Sequence, residues 1–202
     1  TRCYNTMSQM VKGMELLIKG ASELALKLTS EQIDGFEIYH QELMSWNQRM
    51  NLTAIMDYEE IQIKHFLDSL TTATVIPETV LHGGRMADVG SGGGFPGIPL
   101  KLVYSGIHLT LLESVGKKAT FMEHLVGALG LSHIQVLTGR AETLALDQTL
   151  RESFDVVVSR GVARMQVLME ITLPFCRVGG RVITLKKGAI GPEMEASLPS
   201  IE

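Results

Sequence analysis

The chain has 202 residues, 45% of them hydrophobic and 20% charged, with a formal net charge of −4. That length and balance suit a folded domain of ordinary size and exclude a generally basic nucleic-acid binder. The charge is uneven: residues 1–85 hold 7 Lys/Arg against 11 Asp/Glu, and residues 136–190 hold 8 against 5, so contact with a polyanion has to be local.

No apolar run approaches the roughly 18 residues of a membrane span. The first twenty residues do not read as a signal peptide, because Lys12 and Lys19 break their apolar patches. Cys3 and Cys176 form no C-x-x-C pair and no metal set, so the expectation is a cytoplasmic chain with reduced thiols. Asn51-Leu52-Thr53 fits a glycosylation sequon, which is idle in a cytoplasmic protein.

The first 80 residues read as a helical cap. Apolar side chains at Met10, Met14, Leu17, Leu24 and Leu28 predict a helix over 7–27. Thr29-Ser30-Glu31-Gln32 is a capping-box pattern and predicts a second helix running to about Met50. Asp57 with the acids that follow it predicts a third, through about Ala73. The eleven methionines and Trp46 read as core filler.

Beyond Leu81 the rhythm changes. Five apolar runs predict strands at 85–89, 108–113, 133–138, 154–159 and 180–186, mostly separated by helical stretches. Strand–helix alternation predicts an α/β, doubly wound, mainly parallel sheet over 81–202, with ligands at the carboxyl ends of its strands.

The stretch after the first strand, "DVGSGGGFPGIPL" (88–100), fits two nucleotide-site patterns. Gly92, Gly94 and Gly97 spell the dinucleotide fingerprint; Asp88, Gly90, Gly92 and Gly94 spell the S-adenosyl-L-methionine (AdoMet) pattern. Asp88 discriminates, because a carboxylate beside the loop repels a pyrophosphate but suits a ligand with an ammonium and a sulfonium. Glu113, closing the second strand, is placed to accept ribose hydroxyls in either case.

With these residues in view, the sequence resembles the bacterial small-subunit ribosomal RNA guanine-N7 methyltransferase G family, also called glucose-inhibited division protein B. "NLTAI" (51–55), "KHFLDSL" (64–70), the glycine loop, "LLES" with "GKK" (111–118), "VVSRGVA" (157–163) and "LKKG" (185–188) carry the likeness. It implies a class I, Rossmann-like methyltransferase with AdoMet as cofactor and no metal. It also implies cofactor contacts at Gly90 and Phe95, at Glu113, Ser114 and Val115, at Ala141 and Glu142, and at Arg160. Its acceptor would be N7 of a guanine in the 530-region loop of 16S rRNA, free or in the small ribosomal subunit.

The family usually has Ala where Gly161 stands. Its sheet continues past "LKKG", so the expectation is that further strands belong to a longer chain, and the lack of an initiating Met agrees with this. His65 and Asp68 share a helix face and are positioning candidates rather than a general acid or base. Asn51, Arg140, Arg164, Lys186 and Lys187 are candidate RNA contacts. Three alternatives compete: a nicotinamide-dependent oxidoreductase, a methyltransferase acting on a small molecule, and a non-catalytic RNA-binding module. Intact Asp88, Gly90 and Glu113 argue against the last.

Overall fold

The structure is a computed structural model that describes residues 13–161, 164–186 and 191. Five parallel strands form one sheet in the order β3-β2-β1-β4-β5: β1 (Arg85–Val89), β2 (His108–Glu113), β3 (Ile134–Thr138), β4 (Phe154–Arg160) and β5 (Cys176–Leu185). Chain order reverses at β1, so the crevice between the carboxyl ends of β1 and β4 is where such a sheet binds ligands. Ser159 ties those ends together by donating to the Val89 carbonyl at 2.7 Å.

The strands alternate as a sheet covered on both faces requires. Met86, Leu109, Leu111, Val156 and Val158 face one buried cluster. That cluster holds the cap helices, α6 (Gly97–Val103) and α7 (Gly116–Ala128). Ala87, Val89, Leu112 and Val157 face the other. There α8 (Ala141–Leu144) and α9 (Met165–Thr172) pack. Lys101 of α6 is buried and donates its ammonium to the carbonyls of Ser105 and Ile107; burial pushes its pKa down.

The cap consists of α1 (Glu15–Glu23), α2 (Ser30–Asn47), α3 (Tyr58–Ile61), α4 (Asp68–Thr71) and α5 (Glu78–Leu81). The capping box at Thr29 and Gln32 forms with both of its hydrogen bonds, and Asp57 accepts from the Glu60 N–H at 2.8 Å.

Two expected helices differ from their sequence pattern. The first ends at Glu23 rather than near 27. Leu26 donates to the Ala21 carbonyl and Ala25 to that of Ser22, a Schellman stop with Ala25 at φ 59. No glycine marks that stop, so the apolar spacing runs on past it. The third helix changes pitch: Gln62–Leu67 is a π-helical turn between α3 and α4, and Thr72–Val75 is 3-10. The fifth strand begins at Cys176, earlier than expected, because residues before Gly180 pair with the start of β4 through a register shift. The glycines at 179 and 180 had read as its boundary.

Ala25 is exposed and left-handed, a conformation that costs a non-glycine residue about 1–2 kcal/mol. Part of any gain from glycine is lost to its freer unfolded chain. Ala25→Gly should therefore stabilise the protein by about 1 kcal/mol, a rise of roughly 2–4 °C in Tm for a chain of this size. A thermal melt with unchanged or lower Tm would contradict this reading of the turn.

Candidate functional site

The loop between β1 and α6 is built from bare backbone held at both ends. Gly90 has φ 74 and its N–H donates to the Leu112 carbonyl at 2.8 Å, which draws the loop across the end of β2. Gly94 has φ 93, and a Cβ there would lie 2.6 Å from Ile98 Cδ1 and 2.7 Å from the Tyr39 hydroxyl. Glu113 fastens the loop from the other side. Its Oε2 accepts from the Gly92 N–H and its Oε1 from the Val115 N–H, each at 2.8 Å. The Ser114 hydroxyl also lies 3.5 Å from Oε1, while Oε2 retains a lone pair with which the carboxylate can still accept a ligand hydroxyl.

Beside Gly90 opens a cavity of about 200 Å³. Val89 and Leu112 give it apolar walls, with Val167 and Ile171 of α9. Ser114, Arg140 and Glu142 supply its polar rim, with Ala141 between them. The cavity suits a flat, mostly apolar group with a few polar edges.

Asp88 lies on the other face of β1, fully buried between Leu111 and Val158. Its Oδ2 accepts from the Gly97 N–H at 2.8 Å, while its Oδ1 is buried without a partner. Burial pushes its pKa up to about 8, against the opposing pull of the Gly97 hydrogen bond and of Arg160; the Glu113 charge adds to the rise. The first N–H of α6 is therefore already held by the chain's own carboxyl. In dinucleotide folds that helix end receives the pyrophosphate.

A second cluster joins the cap to the loop. Phe95 is almost fully buried and stacks on Tyr39 at 5.2 Å and on His65 at 4.6 Å between centroids. The Arg160 guanidinium lies 4.7 Å from the Phe95 centroid. Arg160 also donates to His65 Nδ1 at 3.0 Å, and to Asp68 Oδ2 and the Lys64 carbonyl at 3.3 Å each. The π-helical turn brings this about, since it carries His65 and delivers Asp68 directly after it.

The expected residues divide accordingly. Gly90, Ser114, Ala141 and Glu142 line the cavity; Glu113 and Gly92 are bonded to each other and are not among its walls, and Val115 is exposed. Phe95, His65, Asp68 and Arg160 meet one another, and the contacts of the Arg160 guanidinium lie on the cap side of the loop rather than among the cavity walls. Asp88 sits beneath the loop, where one oxygen is spent on α6.

Asn51 and Arg164 are exposed, Arg164 at the start of α9; Lys186 follows the end of β5, and Lys187 lies outside the described residues, as does the chain from 192 onward. Three residues carry the second cluster without having been singled out. Tyr39 donates to the Gly93 carbonyl at 2.6 Å, Thr53 meets His65 Nε2 at 2.7 Å, and Asn47 holds the loop that bears Thr53. Only Thr53 stood in a quoted motif; nothing in the spacing of Tyr39 or Asn47 sets them apart from helix-face residues.

The donor set fits AdoMet. A buried carboxyl oxygen without a partner suits a cationic amino-acid end, a strand-end carboxylate suits a ribose, and the cavity suits an adenine. Among the described residues no group of His, Cys, Asp and Glu could hold a metal ion. No helix among them is long and apolar enough to cross a membrane.

Comparison with known proteins points the same way. A model of the family described as rRNA small subunit methyltransferase G matches residues 32–197. The ribosomal RNA small subunit methyltransferase G of Dehalococcoides mccartyi (strain CBDB1) is 45% identical over 189 residues, covering 94% of this chain and 79% of that one. Its namesake from Roseiflexus castenholzii is 46% identical over 181 residues, covering 90% and 76%. A solved precorrin-6y C5,15-methyltransferase from Geobacter metallireducens shares 13% identity and a TM-score of 0.51, over 67% of this chain and 68% of that one. That last likeness concerns the fold alone.

Asp88 makes the ligand-free protein sensitive to alkali. Its carboxyl would ionise near 3.8 in the unfolded chain but holds its proton to about 8 when folded. The stability linked to this proton is fully present below pH 3.8, declines as pH rises, and is gone above about 8. Asp88→Asn should flatten that decline in urea-unfolding midpoints measured from pH 5 to 8.5. An unchanged slope in the variant would assign it to other groups.

Proposed function

The chain belongs to the rRNA small subunit methyltransferase G family, and on that premise we propose how its site methylates a guanine. It is an AdoMet-dependent rRNA methyltransferase, with a guanine N7 of 16S rRNA as acceptor. We place the acceptor in the 530-region loop, reached in the cytoplasm on free rRNA or on the small ribosomal subunit. The observation that carries the cofactor choice is the Asp88–Gly97 hydrogen bond. It fills the helix end that a pyrophosphate would need, which removes the reason to read Gly92, Gly94 and Gly97 as a nicotinamide site.

When bound, AdoMet supplies a methyl group activated by its sulfonium. The chain's own residues bind and orient. Gly90 lets the ligand approach the backbone, Glu113 accepts from the ribose, and Ser114 with Ala141 and Glu142 borders the adenine. Val115 closes the edge of that pocket. Phe95, backed by Tyr39 and pinned by His65 and Arg160, sets the wall between the cofactor loop and the cap. The target base enters on this side, along the turn that carries His65 and Asp68.

Guanine N7 offers a lone pair and carries no proton at neutral pH, so no side chain has to act as a base. The rate then depends on how well nucleophile and methyl are aligned. Asp68 matters here for its charge as well as its place: paired with Arg160 at 3.3 Å, it offsets a cation beside a base that becomes cationic on methylation. Asn51, Arg164, Lys186 and Lys187 are the proposed phosphate and loop contacts. The cap of residues 1–80 is proposed as the part that shapes the RNA entrance, and residues 81–202 as the part that holds the cofactor.

Incubation with labelled AdoMet and undermethylated small subunits should place the label on guanine N7 of the 530-region loop. Gly90→Asp should remain folded, show no AdoMet binding by calorimetry and transfer no label, because its side chain occupies the ligand's place. Label on another atom or another RNA, or normal affinity in the variant, would refute the respective assignment.

The transfer step, measured in single turnovers at saturating cofactor and enzyme, should vary little between about pH 6 and 9, where a His or Lys base would titrate. His65→Ala and Asp68→Asn should lower the rate without changing that profile. A log-linear rise over a pH unit or more, lost in either variant, would mean that a base acts and that the acceptor must be deprotonated.

A further inference from the structure

Asn47 ends α2, yet its side chain serves the loop that follows rather than the helix. Its Oδ1 accepts from the N–H groups of Leu52 and Thr53, at 2.8 and 3.0 Å. Its Nδ2 donates to the Thr53 carbonyl at 3.0 Å and meets Met56 Sδ at 2.9 Å. The helix end closes without it: the Arg49 and Met50 N–H groups both reach the Trp46 carbonyl. A residue that only stopped the helix would not need bonds to both sides of Thr53.

What Asn47 holds in place points at the second cluster. Thr53 Oγ1 accepts from the Ile55 N–H at 3.0 Å and lies 2.7 Å from His65 Nε2. His65 Nδ1 has two neighbours: the Lys64 carbonyl at 3.1 Å, which would take a proton from it, and the Arg160 guanidinium at 3.0 Å, which can only donate to it. Arg160 also donates to that carbonyl, so its two nitrogens satisfy both groups when Nδ1 accepts. With Arg160 in place the ring proton belongs on Nε2, where Thr53 Oγ1 accepts it; without that arrangement the Lys64 carbonyl favours the other tautomer. One chain of hydrogen bonds thus runs from Asn47 through Thr53 and His65 to Arg160, which rests on Phe95.

We propose that Asn47 is a positioning residue for methyl transfer: by fixing Leu52 and Thr53 it fixes the tautomer and orientation of His65 against Arg160 on the cap side of the glycine loop. The proposal rests on the methyltransferase reading above. It predicts loss of alignment, not of folding or cofactor affinity, and misplacement by about 1 Å can cost on the order of a hundredfold in rate.

The test uses the full chain labelled with ¹⁵N-histidine, the His65 signals being identified by their loss in His65→Gln. In the unsubstituted protein His65 should show the Nε2–H tautomer. Asn47→Ala, and Thr53→Val, which removes a single hydroxyl, should give a mixture of tautomers. Their AdoMet affinity by calorimetry should stay within about twofold, while single-turnover transfer to undermethylated small subunits slows by about 10- to 100-fold. Asn47→Ala combined with His65→Ala should be no slower than His65→Ala alone.

An unaltered tautomer with an unaltered rate would overturn the proposal, as would losses that multiply in the double variant. Should Asn47→Ala fail to fold, Thr53→Val and its combination with His65→Ala decide in its place. If the unsubstituted protein transfers no methyl, the functional reading fails, and the tautomer comparison still decides whether Asn47 governs His65.

Discussion

Phe95 is the contact on which the arrangement depends. It belongs to the cofactor loop, but the groups that hold it come from three other places: Tyr39 from α2, His65 from the π-helical turn and Arg160 from the end of β4. An aromatic pair contributes about 0.5–1.5 kcal/mol beyond its buried area, and a cation over a ring about 0.5–2. Several such contacts on one side chain make the loop and the cap a single object. The buried core agrees, since one cluster runs from Met14 and Leu17 of the cap to Leu111 and Val158 of the sheet. The line near residue 80 therefore does not separate two cores.

Elements with local chemical punctuation were legible in the sequence. The capping box at Thr29 and the acid at Asp57 opened helices where they stood, and β1 to β4 matched their apolar runs to within a residue. The loop was legible because glycine, proline and acid each have a narrow physical use. What escaped had no such marker. Ala25 takes a conformation usually left to glycine, and the π-helical turn has the same residue types as an α-helix. Asn47 escaped for another reason: its partners come from a loop whose path no periodicity describes, so attention fell on exposed Asn51 four residues later.

The electrostatics reconcile an acidic chain with a polyanionic substrate. Exposed cations near the strand ends carry their own acids: Lys64 pairs with Glu60 and Arg140 with Glu142. Such surface pairs are worth about 0–1 kcal/mol in water, so a phosphate can replace the acid at little cost. Phosphate contacts of this kind set register and orientation without reading sequence.

The π-helical turn of Gln62–Leu67 has a consequence for how this site tolerates change in chain length. Such a turn is one residue wider than an α-helical turn, so it behaves as a stored insertion. Removing a single residue within it would let the segment relax to ordinary pitch, with α3 and α4 joined into a regular helix. Because the extra residue is absorbed within the turn, side chains beyond the deletion would keep their faces, and only those inside Gln62–Leu67, His65 among them, would change theirs. Such a chain would keep its hydrophobic core, its glycine loop and its overall outline. It would lose the meeting of His65, Asp68 and Arg160, and to inspection of fold or composition it would look intact.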